Sequence, residues 1–379
     1  MARKKGKRYS GIGGQAVLEG IMMRNQDKYA VAVRRTDGEI DVEVETHKEL
    51  LAGSMLKKLP FIRGIFQFID SLTLGMKSLN HSTAFYEEED AQETKFDKAL
   101  DKLSGGNGEK LMTTIVTIIS LVLAIGIFIV LPYYVASLFD GFIRNRSLMA
   151  IIEGVLRIVI FIFYVWAISW MKDIKRLYQY HGAEHKCINC IEKGRPLTVR
   201  NAMRSSRLHK RCGTSFMFFV LFVSIVLFFF IRVENPIYRV FIRVALMPVV
   251  AGISYEIIRL AGRTDNVLIR MLSAPGMMIQ RMTTKEPDET MVEVGIAAVE
   301  AVFDWRAYLQ EHFGYKPEEL TEEALLLEEA KMRGEAVEEE DYDAGSEMSE
   351  RDMKVMVLAE ENAEMAFESI DGVDTEEQV

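Results

Sequence analysis

The sequence predicts an α-helical polytopic membrane protein with about four transmembrane helices, an interfacial helix and a small N-terminal β-hairpin. Three observations lead there. Four apolar runs between residues 113 and 260 each approach the ~20 residues that a bilayer-spanning helix needs. Charge is split along the chain: residues 316–379 carry 23 acidic and 5 basic side chains, net −18, and the other 315 residues carry net +9. Residues 29–45 alternate apolar and polar positions around Thr36-Asp37-Gly38, as a half-buried hairpin does. Three cysteines in 379 residues exclude a disulfide scaffold, and reduced thiols suit a cytosolic face.

The elements follow in chain order. Residues 1–85 read as an N-terminal cytoplasmic region. Its basic arm, Met1–Arg8, suits the cytosol or an anionic lipid surface. The glycine-rich stretch Gly13–Gly20 has no Lys-Ser/Thr behind it, so it does not read as a nucleotide cradle. In the hairpin, Val31, Val33, Ile40, Val42 and Val44 mark alternate positions, and Asp37-Gly38 predicts a tight primed turn. Ser54–Asn80 is apolar but interrupted by Pro60, Arg63, Gly64, Asp70 and Gly75, which predicts an interfacial or re-entrant helix rather than a span. Residues 86–112 form a polar linker containing Gly105-Gly106-Asn107-Gly108. Spans are expected at about Thr113–Phe139 and Leu148–Met171 (residues 113–171), then at Thr214–Ile231 and Ile237–Leu260 (residues 214–260). Residues 261–315 are a cytoplasmic helical segment, with Val292, Ile296, Val299, Val302 and Phe303 at helical spacing. Residues 316–379 are an acidic, mostly disordered tail with a short helix at Leu325–Met332.

Orientation follows from loop charge. Residues 172–213 carry 11 Lys and Arg against Asp173, Glu184 and Glu192. An excess of cations marks the cytoplasmic side, so this loop and both termini are expected in the cytoplasm, in an inner membrane. Within the spans, Glu153 and Arg157 stand at i, i+4 and are expected to pair inside the bundle, since an isolated charge in lipid is costly. Glu256 and Arg259 fall near the cytoplasmic end of the fourth span, where pairing or helix-end snorkelling is expected. The cationic loop lacks interleaved aromatics. It therefore points to anionic lipid headgroups, or to the acidic tail, and not to nucleic acid. Self-association stays open.

The same loop gathers chemistry. His181, His185, His209, Cys187, Cys190 and Cys212 lie within 32 residues, while His47, His81 and His312 are isolated. On a helix, His181-x-x-Glu184-His185 puts two imidazoles and a carboxylate on one face. Two such histidines can ligate one Zn²⁺, with Glu184 as general base or fourth ligand. Cys190 is nine positions from His181, on the opposite side of an unbroken helix, and joins only if the helix ends before it. The candidate ligands are therefore His181, His185 and one of His209, Cys212 or Cys190, with Glu184 as the candidate catalytic residue. Mixed His/Cys ligation favours zinc, with Fe²⁺ or another transition metal open.

The residues quoted so far also carry a resemblance. Gly13–Arg24, Tyr180–Lys186, His209–Phe216, Ser254-Tyr255-Glu256 and Ala274-Pro275-Gly276 resemble the YqhQ-like family of bacterial membrane proteins, over roughly residues 10–310. That family is of unknown function and labelled as predicted metal-dependent enzymes, so the resemblance implies a metal-dependent membrane protein. Cys187 stands where a hydroxyl residue is expected, which argues against it as a ligand, and Lys210 stands where proline is expected. The functional expectation is a metal-assisted hydrolase at the cytoplasmic membrane face. The alternative is a non-catalytic scaffold or transport-related protein, with a structural metal or a lipid-binding basic loop.

Overall fold

The computed structural model describes residues 8–87 and 108–333, apart from 49, 51–53, 56–58, 140, 144, 232, 234 and 264–266. The basic arm up to Lys7, most of the linker and the tail after Arg333 lie outside the described residues. The chain divides into two units, Met1–Leu325 and Leu326–Val379.

The N-terminal region is a four-stranded antiparallel meander, not a single hairpin: β1 Gly13–Val17, β2 Gly20–Asn25, β3 Lys28–Arg34 and β4 Ile40–Thr46, in that order across the sheet. The expected hairpin is β3–β4. Its connection is a three-residue loop, Thr36-Asp37-Gly38, closed by Arg35 N–H donating to Glu39 O at 2.8 Å, with Gly38 at φ +89°. This replaces the expected two-residue primed turn. The β1–β2 turn, Leu18-Glu19, carries Glu19 at φ +48° and shows no glycine or asparagine signal.

Helices cover both faces of the sheet. α1 (Ile62–Glu87) lies on one face, where Val17, Met22, Val31 and Val33 meet Leu74, Phe85 and Tyr86. It is one unbroken helix of 26 residues. Gly64 and Gly75 are contact points rather than breaks. A side chain at Gly64 would strike Tyr255 and Gly252, and one at Gly75 would strike Gln15. On the other face Ile21, Met23, Ala30 and Ala32 share a core with two helices from distant sequence. These helices, named below as α5 and α11, supply Tyr180, Ala183 and Cys187, and Met291, Val294 and Ala298. Burial of each such large apolar side chain contributes about 1.5–3 kcal/mol.

Among the described residues three helical stretches are long and apolar enough to cross a membrane, and a fourth is so if a bent pair counts as one. The first joins α2 (Gly108–Ile125), a π-helical turn at Gly126–Val130 and α3 (Leu131–Ser137). The second is α4 (Arg146–Ile168). The third is α7 (Gly213–Phe230). The fourth is α8 (Pro236–Ala245) and α9 (Met247–Arg263), bent by 41°. Between the second and third comes the cationic segment, which is α5 (Lys172–Glu192) and the short α6 (Val199–Met203). After α9 follow α10 (Val267–Thr283), α11 (Glu289–Val302), α12 (Trp305–Phe313) and α13 (Glu322–Arg333). The periodic segment at 288–313 is therefore two helices, and α11 turns its apolar face into the core while Glu289, Glu293 and Glu300 stay exposed.

Glu153 and Arg157 pair at 2.9 Å, and Arg243 of α8 joins them. Arg157 also donates to Phe128 O at 3.1 Å, inside the π-helical turn, and to Ser224 Oγ at 3.2 Å on α7. One carboxylate thus holds two guanidinium groups and ties all four apolar stretches together. Glu153→Gln leaves those cations facing each other in a dry bundle. It should cost about 3–5 kcal/mol, read as a lowered unfolding midpoint of the full chain in detergent. An unchanged midpoint would contradict this role.

Candidate metal centre

α5 is the central helix of the fold. Tyr180 and every residue from Gly182 to Glu192 are buried, so this half of the helix is packed all round. It passes against the chain after α10. Lys285 N–H donates to Tyr178 O at 2.8 Å, and a side chain at Gly182 would lie 2.1 Å from Lys285 O. The glycine permits this approach, and the approach sets the pose of His181.

His181 Nδ1 donates to Thr283 O at 2.9 Å, and His185 Nδ1 donates to Arg207 O at 2.6 Å. A carbonyl only accepts, so each ring carries its shared hydrogen on Nδ1. Each Nε2 is left to face the cleft. His181 Nε2 lies 3.1 Å from Cys212 Sγ, and one ligand atom from each of His181, His185 and Cys212 lies within 4.8 Å of the others. Tetrahedral zinc holds such atoms about 3.3–3.6 Å apart, so small side-chain shifts suffice. Cys212 is placed by capping α7, its sulfur accepting from Thr214 N–H at 3.3 Å.

The electrostatics agree with a soft cation site. Burial opposes charge on Cys212, but His181 and His185 outweigh it and hold the thiol well below its usual range. Burial opposes charge on His181 too, but Cys212 outweighs it and lifts the imidazole to about 9. Both shifts favour imidazolium and thiolate over the neutral pair. Glu184 lies beside them, pushed above the usual carboxylate range by burial and steadied by Gly14 N–H. A side chain at Gly14 would strike Met22 O and Glu184 Cγ, so glycine lets the carboxylate rest against β1. Gly14 thus serves the carboxylate; sequence alone shows the glycine but not its partner 170 positions away.

The other predicted site residues stand elsewhere. α5 does not end before Cys190, whose sulfur donates to Pro196 O at 3.3 Å in the core, and the thiol is pushed up to about 12 by burial. The structure does not bring it to the cluster. His209 lines the same cleft, but its Nε2 lies 3.4 Å from Glu192, and Gln280 clamps its backbone through bonds of 3.0 and 2.7 Å. It also lies outside the cluster of three. Cys187 faces Gly295, and Glu256 pairs with Arg63. Part of the cationic loop is spent internally. Lys186 is 3% exposed and bonds Met203 O, Ser205 O and Glu286, and Arg176 pairs with Glu19. That reduces the charge left for lipid headgroups.

The cluster opens into a cleft of about 520 Å³, walled by β1, α1, α5, the start of α7 and α9. Its acid–base state predicts that zinc binding at pH 7.5 releases about one proton, because the ion displaces the hydrogen that His181 holds below about pH 9. Calorimetry in buffers of different ionisation enthalpy reads this, and no release would contradict it. Cys212→Ser should lose the metal and Cys190→Ser should keep it, by elemental analysis.

The DUF1385 profile, described as a protein of unknown function, matches residues 59–305. The chain is 36% identical over 285 residues to the uncharacterized protein YqhQ of Bacillus subtilis (strain 168), which covers 75% of this chain and 89% of that protein. No solved structure matches. Neither description names an activity or a metal. The chain belongs to the DUF1385 family.

Proposed function

We propose that the chain is an integral membrane hydrolase that uses a zinc ion held by His181, His185 and Cys212. The observation that carries this reading is the pair of Nδ1 hydrogen bonds to Thr283 O and Arg207 O, which turn both Nε2 atoms toward the Cys212 sulfur. Outer hydrogen bonds of this kind are what fix metal-binding histidines. Three protein ligands leave a fourth position for water, as catalytic zinc sites do, whereas structural sites are closed by four. When bound, the ion would supply Lewis acidity and lower the pKa of that water.

Glu184 does the proton work. Its raised affinity for protons suits a base that accepts one from water and returns it to the leaving group. The substrate class is an amide or ester presented at the membrane surface, since the cleft walls include the first turn of the span-length α7. Loop charge supports a cytoplasmic cleft with both termini on the same side.

One observation favours a second reading, a structural metal: Cys212 caps α7, so an ion there would pin the cytoplasmic loop to the bundle. Glu184→Gln separates the two. On the hydrolase reading it lowers kcat by about 10²–10⁴-fold, with metal content and melting temperature unchanged. Turnover unaffected by this change, in a metal-loaded chain that cleaves a substrate, would contradict the role of Glu184.

A further inference from the structure

The cleft does not end at the histidines. A second cavity of about 340 Å³ adjoins it and shares Gly13, Gly14, Gln15, Gln67 and Ser71 with it. Together they form an elongated groove between β1 and α1. Among the described residues β1 is the edge of the sheet, paired only with β2. A two-residue turn makes Val17 and Gly20 a mutually hydrogen-bonded pair, so Gln15 and Gly13 also turn their amides to β2. Gly14 and Ala16 then turn theirs to the outer edge, where the Glu184 side chain lies against Gly14. At Gly13 a Cβ would meet nothing within 4 Å, so the groove has open space beside the backbone at this position.

We propose that the groove takes an extended polypeptide segment, laid beside the free edge of β1, from a protein anchored in the same membrane. Adding a strand to an open edge supplies backbone hydrogen bonds without regard to side chains. The charge of the lining favours a neutral polyamide over an anionic lipid headgroup. Among the described residues the two guanidinium groups on the lining are already engaged. Arg211 pairs with Glu192 and stacks 4.0 Å over Tyr9, and Arg24 donates to Gln26 O at 2.8 Å. Gln15, Gln67 and Ser71 offer uncharged donors and acceptors that match amide groups. Phe68 and Phe216, with ring centroids 5.4 Å apart, and Met217 line the end next to α7, where apolar side chains leaving a bilayer would lodge. The inference rests on the hydrolase reading for its chemistry. Water adds its oxygen to the amide carbon, the C–N bond breaks, and the proton taken by Glu184 passes to the departing nitrogen, giving a carboxylate and an amine.

Binding tests it without relying on turnover. The full chain is reconstituted in phosphatidylethanolamine/phosphatidylglycerol vesicles and stripped of metal. The probe is a fluorescent pool of randomised eight-residue peptides carrying a myristoyl anchor, compared with a backbone N-methylated twin. Saturable binding is expected, at least tenfold weaker for the twin and for Gly13→Val, a variant that narrows the groove at a position where an added Cβ meets nothing within 4 Å. Melting temperature and zinc uptake of Gly13→Val should match the wild type. Equal binding of the two pools, or displacement of the peptides by a soluble short-chain phosphatidylglycerol, would overturn the proposal. Peptide binding with no cleavage after zinc is restored would leave this inference standing and end the hydrolase reading. Hydrolysis of phosphatidylglycerol esters without peptide binding would do the reverse.

Discussion

Two backbone carbonyls, of Thr283 and Arg207, decide what α5 can do. By accepting the Nδ1 hydrogens of His181 and His185, they orient both rings and leave Nε2 directed at Cys212. The carbonyls belong to separate segments, one at the last residue of α10 and one before α7, so the histidine pair is set only when the whole unit has closed around α5. Gly182 allows the first of these contacts by letting Lys285 O come within reach of the helix axis. Cys212 completes the group from the mouth of α7. The site is thus a junction of three parts of the chain and depends on tertiary closure more than on any local motif.

The apolar bundle and the sheet position this junction from opposite sides. The carboxylate of Glu153 draws two arginines and the apolar helices into one assembly, which fixes where α7 begins and hence where Cys212 stands. The sheet, covered by α1 on one face and by α5 and α11 on the other, sets Gly14 against Glu184. Its edge strand is left facing the cleft. On the proposed reading, a centre built in this way would meet the membrane boundary and an open backbone edge at once, which is the combination that an extended, membrane-anchored substrate requires.

Much of this was legible in the sequence, and the rest was hidden for identifiable reasons. His181, Glu184 and His185 announce a shared face by their spacing alone. The choice of Cys212 over Cys190 or His209 depends on how residues 193–211 fold back, which is not a local property. β1 and β2 were obscured because β2 is covered by helices on both faces, so its pattern does not alternate, and because their turn lacks the usual glycine or asparagine. Gly64 and Gly75 read as helix breakers but serve close packing of α1. Pro275 lies inside α10, whose neighbour Gly276 packs on Ser215, so a breaker is again tolerated where tertiary contact compensates. The cationic loop read as a free basic surface, yet Lys186 and Arg176 are held by internal acceptors that sequence cannot display.

The most direct test of the account is X-ray absorption at the zinc edge on the zinc-loaded full chain. It predicts one sulfur neighbour at about 2.3 Å with two imidazole nitrogens and one further light atom at about 2.0–2.1 Å, and loss of the sulfur shell in Cys212→Ser. A zinc environment of nitrogen and oxygen alone, or one with several sulfurs, would contradict a centre made of His181, His185 and Cys212.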